Sequence, residues 1–401
     1  MNKKIIFITG SFPFGKSEVW AINELNSLQE LGVEIRIIPR SGKGEIINQD
    51  AVKFGSNLID LPFLDLNIFI FLLRTILFRP FLFLKLVKEN IKQSNTIVDF
   101  AKGLIILPKS IFISEILKNE KIDHIHSLQT TSTAFMAFIL SNILEVPWSY
   151  TLHTSEILNS RYKKSILFQS SSASLCRTIS KTTANELSSF IGYPLSKKIA
   201  KVHLGVDIKV VKNRTNYVNH LFTIVTPAEL TPRKGHIYAI DAAKKLIDMG
   251  VNDFRWFFYG SGPLLKKLNN RVRELNLCNH CFFPGNLDHY KLIRKYKSNK
   301  VNAVILSSIS SNVPEGIPVS LMEPMSYGIP VIATDCGGTK ELVDGKSGIL
   351  VNQKNSNEIL DAILKLKDNP EFNKKLGDNG RLKVAQDFDT MKNASDLIKF
   401  F

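Results

Sequence analysis

Two glutamates, Glu315 and Glu323, flank the short sequence GIPVSLM and have the chemistry to bind sugar hydroxyls. Proline is favoured at the first positions of a helix, so Pro318 predicts that a helix begins near Val319 or Ser320. The start of a helix offers unbonded backbone N–H groups and a positive dipole end, which together bind phosphate. Carboxylates accept hydrogen bonds from sugar hydroxyls, so the pattern predicts a nucleotide-sugar site. From spacing alone, an acidic surface turn is an equal alternative.

A second motif, GSFPFGKS at residues 10–17, matches the phosphate-binding P-loop pattern G-x-x-x-x-G-K-[ST]. Pro13 removes one of the backbone donors that such a loop needs, and Phe12 and Phe14 crowd it. No apolar strand ends convincingly in the metal-binding Asp of a P-loop enzyme. We therefore interpret the motif as a loop that touches phosphate through Gly15 without gripping ATP. A P-loop nucleoside triphosphatase is the enzymatic alternative.

Composition predicts a two-domain globular protein. The chain has 401 residues, of which 44% are hydrophobic and 22% are charged. The net charge of +16 favours polyanionic partners, but no Lys/Arg run alternates with aromatics, so no nucleic-acid partner is expected. Four cysteines make a poor disulfide framework for this length, which predicts a cytoplasmic protein. The lone C-x-x-C at Cys278 and Cys281 is interpreted as two ordinary cysteines rather than a zinc site.

The stretch from 61 to 91 is rich in Phe and Leu but is broken by charges. Its longest uncharged run, Leu66–Leu73, is too short to cross a bilayer as a helix. Arg74 and Arg79 among apolar residues suggest an interfacial surface, hence a peripheral contact with an anionic membrane on its inner face. The alternative is a buried helical hairpin interrupted by Pro80.

Strand-like and helix-like runs alternate along the whole chain. KKIIFIT, EIRIIP and WSYTLH read as strands, and EVWAINELNSLQELG reads as a helix between two of them. After a polar linker at 209–220 the alternation restarts with LFTIVTPA. Such alternation predicts α/β architecture with parallel sheets: two tandem Rossmann-like domains facing a central cleft. The expected bounds are 1–208 for an acceptor-binding domain and 218–385 for a donor-binding domain, with a helix at 386–401 packing back on the first.

The C-terminal half resembles the retaining, nucleotide-sugar-dependent glycosyltransferases of glycosyltransferase family 4, which have the GT-B fold. Their pattern EGxPxxLxEAMAxGxPVIAT…GGxxELV…G is matched by EGIPVSLMEPMSYGIPVIATDCGGTKELVDGKSG at residues 315–348. The similarity extends back through FFPGNL, FFYGSGPLLKKL and PAELTPRKGHIYAIDA, and covers most of 175–350. In the N-terminal half only the layout and FPFGKSEVWAINEL are similar.

The resemblance implies roles for individual residues. Glu315 would contact the donor sugar, Glu323 the ribose hydroxyls, and Lys234 the diphosphate. His153, just after a predicted strand, would face the donor sugar as a catalytic residue, although a structural histidine is an equal alternative. The remaining donor-binding positions implied are Gly316, Ile317 and Pro318 at the sugar, Val319 and Ser320 at the diphosphate, and Gly15, Gly260, Gly262, Asn286 and Leu287 around the nucleotide.

One position departs from the family pattern. Glu229 stands where the family usually has an arginine, and Arg233 is the candidate replacement. If Lys234 and Arg233 neutralise the leaving diphosphate, no metal cofactor is required. The resemblance implies a retaining transfer from a nucleotide sugar to a saccharide or lipid-linked saccharide acceptor in surface polysaccharide synthesis. A non-catalytic sugar-nucleotide-binding protein is the non-enzymatic alternative.

Overall fold

The chain folds as two α/β units. The computed structural model describes residues 3–14, 18–42, 45–46, 49–63, 65–154, 160–208, 221–310 and 315–401. Unit 1 comprises Met1–His203 and Met391–Phe401, and unit 2 comprises Leu204–Thr390. The predicted linker at 209–220 and the predicted donor contact Gly15 lie outside the described residues.

Unit 1 is built on a six-stranded parallel sheet. Its strands are Lys4–Thr9 (β1), Glu34–Pro39 (β2), His124–Ser127 (β3), Trp148–Leu152 (β4), Leu175–Thr178 (β5) and Ile199–Lys201 (β6). The strand order is β2-β1-β3-β4-β5-β6, and Ile5 pairs with Ile35 on one side and His124 on the other. Successive strands are added on one side of β1 (β2) and then on its other side (β3 onward), so the topological switch point lies between β1 and β3. Ligands of doubly wound sheets bind at such a point.

Among the described residues, seven α-helices connect these strands and cover the sheet. They are Ala21–Glu30 (α1), Leu66–Phe78 (α2), Pro80–Gln93 (α3), Ile97–Leu117 (α4), Ser132–Leu144 (α5), Lys163–Ser172 (α6) and Lys181–Ile191 (α7). Side chains fix several starts: Asp65 accepts from the Asn67 N–H at the start of α2, and Thr96 accepts from the Asp99 N–H at the start of α4. The strands are buried on both faces, as parallel strands covered by helices must be.

A buried ion pair joins distant segments of unit 1. Arg177 on β5 is fully buried, and its Nη1 lies 2.7 Å from Oε1 of Glu24 on α1. The guanidinium also donates from Nε to the Val202 carbonyl at 3.1 Å and from Nη2 to the His203 carbonyl at 3.2 Å. The pair therefore connects a helix, a strand and the last residues of the first segment of unit 1.

Unit 2 has a second six-stranded parallel sheet. Its strands are Phe222–Pro227 (β7), Phe254–Tyr259 (β8), Cys281–Gly285 (β9), Ala303–Leu306 (β10), Val331–Thr334 (β11) and Ile349–Val351 (β12). The order is β12-β11-β10-β7-β8-β9, so the topological switch point, where strands begin to be added on the other side of the first strand, lies between β7 and β10. This is the strand order of dinucleotide-binding Rossmann folds, and the crevice beyond β7 and β10 is the expected ligand position.

Helices cover both faces of this sheet. They are His236–Asp248 (α8), Leu265–Glu274 (α9), His289–Lys297 (α10), Val319–Ser326 (α11), Thr339–Leu342 (α12), Ser356–Asp368 (α13) and Pro370–Asp387 (α14). A last helix, Thr390–Ile398 (α15), follows, and the chain from Met391 onward belongs to unit 1. The predicted fold class, two tandem Rossmann-like domains, is confirmed by the two parallel sheets.

The apolar stretch at 61–91 forms a helical pair, α2 and α3, that breaks at Pro80 as a hairpin would. Its apolar side chains are not all buried, however. Phe78 is 77% exposed and Phe81 is 86% exposed. Among the residues that the structure describes, no helix combines the length and apolar character needed to cross a membrane.

Candidate functional site

The carboxyl ends of β7 and β10 bring two cations and an acid together in unit 2. Lys234 Nζ lies 2.7 Å from Glu315 Oε2, and Arg233 Nη1 lies 3.4 Å from the same oxygen. The Lys234 and Glu315 side chains are only 11% and 10% exposed, whereas Arg233 is 33% exposed. Three of the sequence-predicted catalytic residues therefore meet at the switch point of this sheet.

The backbone around Lys234 is held by the loop that follows β10. The Ile309 N–H donates to the Arg233 carbonyl at 2.8 Å, and Ser307 Oγ donates to the Lys234 carbonyl at 3.2 Å. Gly235 has φ +59°, and a Cβ there would lie 2.0 Å from the Ser307 carbonyl oxygen. Only glycine fits this close approach, so the KG pair in the sequence sets the position of the cation.

The helix predicted at Glu315–Glu323 forms at the expected place. α11 starts at Val319 after Pro318, and no side chain among the described residues caps it. The first N–H groups of the helix, including those of Val319 and Ser320, are thus left for another partner. Glu315 precedes this start and Glu323 lies one turn inside it. The arrangement provides an anion site with a carboxylate on each side.

Glu323 has a partner that the sequence did not reveal. His289 Nε2, at the start of α10, lies 2.7 Å from Glu323 Oε1. Nearby, Tyr296 is fully buried, and burial together with the Glu323 charge raises its pKa well above the ordinary value. The same two causes raise the pKa of Tyr327. Glu323 is thus fixed in orientation by a histidine, close to neutral phenol groups.

The loop that carries Glu315, Gly316 and Ile317 is braced by two glycines after β11. The Gly338 N–H donates to the Glu315 carbonyl at 3.0 Å. Gly337 has φ +57°, and a Cβ there would lie 1.9 Å from the Glu315 carbonyl oxygen. Gly337 and Gly338 of the sequence motif therefore allow the loop after β11 to approach the loop that carries Glu315.

We expect Gly337→Ala to destabilise unit 2 by at least about 2 kcal/mol more than Gly345→Ala, because the added methyl group collides with the Glu315 backbone. Gly345 is the matched control: it also has a positive φ, +80°, but a Cβ there meets nothing within 4 Å. Urea unfolding followed by the fluorescence of Trp256 in β8 measures the difference. If both variants lost the same free energy of unfolding, the close contact between Gly337 and the Glu315 backbone would not contribute to stability.

Close backbone approaches also shape the loops after β8 and β9. A Cβ at Gly260 would lie 2.0 Å from the Ala228 carbonyl oxygen, and one at Gly262 would lie 2.5 Å from the Leu230 carbonyl oxygen. Asn286 is exposed and Leu287 is half-buried, just after β9. These predicted nucleotide-side residues lie in loops at the same sheet edge as Lys234 and Glu315.

His153 belongs to unit 1, directly after β4. Its Nε2–H donates to the Leu128 carbonyl at 2.7 Å, and its ring centroid lies 4.3 Å from that of Trp20. Burial lowers the pKa of His153 to about 4, although the hydrogen bond to Leu128 opposes the shift. The ring is therefore neutral near pH 7, with Nδ1 as a hydrogen-bond acceptor. Its assignment as a catalytic residue stays a prediction.

The first backbone N–H groups of the P-loop-like motif are hydrogen-bonded to a carboxylate of the same chain. The N–H groups of Gly10, Ser11 and Phe12 donate to the Glu18 carboxylate at 2.9, 2.9 and 3.0 Å. Glu18 is only 5% exposed. In a P-loop such amides bind phosphate, but here they already have an anionic partner. This occupancy argues against phosphate binding at these three amides; the GKS of the motif lies outside the described residues.

Comparisons with known proteins agree with this geometry. A family model described as glycosyl transferases group 1 matches residues 207–383. Glycosyltransferase MJ1178 of Methanocaldococcus jannaschii is 30% identical over 66% of this chain and 71% of its own length. WcaL of Salmonella typhimurium, a glycosyltransferase named for colanic acid biosynthesis, is 32% identical over 48% of each chain. The crystal structure of Anabaena HepE in complex with UDP-glucose aligns with a TM-score of 0.70 at 17% identity, covering 99% of this chain and 98% of that one.

Proposed function

Because the chain belongs to the group 1 glycosyl transferases, we propose that it transfers a sugar, with retention at the anomeric carbon, from a nucleotide sugar to a saccharide or lipid-linked saccharide acceptor. The supporting observation is the Lys234–Glu315 contact of 2.7 Å beside the start of α11, which no described side chain caps. The UDP-glucose bound to HepE supports a nucleotide sugar as the donor. The name of WcaL supports a role in surface polysaccharide synthesis. A cytoplasmic location is part of the proposal.

The chemistry follows from where charge develops. The acceptor hydroxyl oxygen forms a bond to the sugar C1 as the bond between C1 and the diphosphate oxygen breaks. The electron pair of the broken bond stays on the diphosphate oxygen, which takes up the acceptor proton. An ammonium has three N–H donors, so Lys234 can hold Glu315 and a phosphate oxygen together. Arg233, one residue away, adds a second cation, and the N–H groups of Val319 and Ser320 complete the anion site. In this proposal the protein supplies the positive charge that some transferases take from a metal ion.

The two carboxylates orient the sugars. Glu315, held by Lys234, accepts hydroxyl hydrogen bonds from the donor sugar and supports attack by the acceptor on the same face. Glu323, held by His289 at 2.7 Å, has a second oxygen with which to accept from the ribose hydroxyls. Each acid therefore has at least one cationic or N–H partner that fixes the orientation of its carboxylate.

We expect Glu323→Gln to weaken nucleotide-sugar binding about tenfold, since a charged acceptor for hydroxyl groups is lost. Lys16→Ala, in the P-loop-like motif, should leave this binding largely intact. Mass-spectrometric screening first identifies which nucleotide sugar binds and is slowly hydrolysed, and calorimetry then compares the variants. The reverse order of effects, or ATP turnover without sugar, would favour the triphosphatase. Binding without hydrolysis or transfer for any donor would favour a non-catalytic protein.

A further inference from the structure

Helix α2 has an apolar surface that the described part of unit 1 leaves largely uncovered. Only Ile68 and Thr75 of its thirteen residues are buried. Leu77 is 73% exposed, and Phe78 and Phe81, at the junction with α3, are 77% and 86% exposed. We give the name apolar face to six of the exposed apolar side chains of α2 and the first turn of α3: Phe69, Ile70, Leu73, Leu77, Phe78 and Phe81. Large exposed apolar patches on soluble domains mark binding surfaces.

The neighbouring helices extend this character. Leu84 and Ile91 of α3 are 62% and 59% exposed, and Ile97 and Ile105 of α4 are 87% and 59% exposed. Helix α2 is about 20 Å long at 1.5 Å per residue. It is too short to cross a bilayer, but exposed apolar side chains next to cations can insert into the headgroup region.

The charges around the apolar face are strongly one-sided. From Asp65 to Ile105 the chain has three acids, Asp65, Glu89 and Asp99, and Glu89 already lies 2.7 Å from Lys92. Against them stand six exposed cations: Arg74, Arg79, Lys85, Lys88, Lys92 and Lys102. A second copy of this face would be repelled by its own charge, whereas an anionic lipid surface would be attracted.

A cavity of about 580 Å³ opens behind the apolar face, between α2 and α4. Phe71, Leu82, Ile111 and Ile143 contribute apolar walls, and Arg74 and Arg79 also line it. This volume is in the range of pockets that hold small-molecule ligands. Lys118 also lines the cavity and is paired with Glu115, so the two arginines are the lining cations without a carboxylate partner among the described residues. The cavity thus combines an apolar interior with a cationic rim.

We propose that the apolar face docks on an anionic phospholipid membrane, with one acyl chain of a lipid entering this cavity and its phosphate bound by Arg74 and Arg79. Membrane docking does not depend on the transfer reaction, because it needs neither donor nor acceptor. Only one consequence rests on the proposed function: docking would bring the enzyme to a lipid-linked acceptor.

The test is co-sedimentation of the full chain with vesicles of phosphatidylglycerol and phosphatidylcholine. We expect Leu77→Ser/Phe81→Ser to lower binding at least tenfold, since two exposed side chains no longer insert. Arg74→Gln/Arg79→Gln should lower binding about fivefold per cation, and only with phosphatidylglycerol present. The matched control is Met249→Ser/Leu382→Ser in unit 2, whose residues are 60% and 55% exposed, and it should bind like the native chain.

A photoreactive phosphatidylglycerol with a diazirine at the end of its acyl chain tests the cavity separately. We expect covalent adducts on peptides that contain Phe71, Ile111 and Ile143, and fewer of them in Arg74→Gln/Arg79→Gln. Adducts only at Leu77 and Phe81, which do not line the cavity, would overturn the chain-binding part. Vesicle binding that is absent, or unchanged in both double variants, would overturn the docking itself. Self-association that Leu77→Ser/Phe81→Ser abolishes, without vesicle binding, would identify a second copy as the occupant instead. None of these outcomes depends on sugar transfer.

Discussion

Lys234→Ala is expected to lower kcat for sugar transfer about a thousandfold, or about 4 kcal/mol of transition-state stabilisation. Lys234 is the less exposed of the two cations on Glu315 and has the shorter contact, 2.7 Å against 3.4 Å for Arg233. Its removal takes away the charge proposed to face the leaving diphosphate and removes the 2.7 Å partner of the Glu315 carboxylate. Single-turnover transfer with a labelled donor measures the effect on the chemical step.

Two further variants sharpen this test. Arg233→Ala should cost about tenfold, because this side chain is more exposed and its contact is longer. Lys374→Ala breaks an exposed ion pair with Asp378 on α14, 3.0 Å in length, and should leave kcat unchanged. If Lys234→Ala transfers sugar within tenfold of the native rate, another group neutralises the diphosphate and the proposed mechanism is wrong. A urea-unfolding midpoint close to that of the native chain would show that the variant is folded.

Glu24→Ala should lower the free energy of unfolding of unit 1 by about 3–5 kcal/mol, because it leaves a buried guanidinium without its carboxylate. Arg177 is fully buried and Glu24 is 5% exposed, so water cannot replace the lost partner. Urea unfolding followed by the fluorescence of Trp20 and Trp148, both in unit 1, measures the loss.

The double variant Glu24→Leu/Arg177→Met separates the cost of an unpaired charge from the net contribution of the pair. It should recover most of the lost stability, since apolar residues of similar volume often replace a buried ion pair at little cost. Asp378→Ala, which breaks an exposed pair, should change stability by less than about 1 kcal/mol. If Glu24→Ala also lowered stability by less than about 1 kcal/mol, water would have to replace the lost carboxylate, which would contradict the prediction.

The fold could be predicted wherever the strands are long and apolar. KKIIFIT, EIRIIP and LFTIVTPA contain β1, β2 and β7, because buried parallel strands are continuous apolar runs. The short strands β5, β6 and β12 were missed, since three or four residues carry too little periodicity to separate a strand from a loop. Sheet order was not predicted either, because it depends on pairing between segments far apart in the chain.

The site shows the same division. The loop and helix start at Glu315–Glu323 lie within one local segment, and Pro318 fixed the helix start in the expected position. The partners of these acids come from elsewhere: His289 is 34 positions from Glu323, and Lys234 is 81 positions from Glu315. Lys234 was found only through the family resemblance, and His289 had no signal in the sequence. Residue types and spacing therefore predict what a segment can bind, but not which distant side chain orients it.

Glu18 gives the P-loop-like motif a property that a nucleotide-gripping loop lacks. Its carboxylate acts as a built-in surrogate for a bound anion, because it satisfies three consecutive N–H groups in the first loop of unit 1. The loop consequently needs no exogenous phosphate to keep its shape. Free phosphate could bind these three amides only by displacing a tethered acid of the same charge sign.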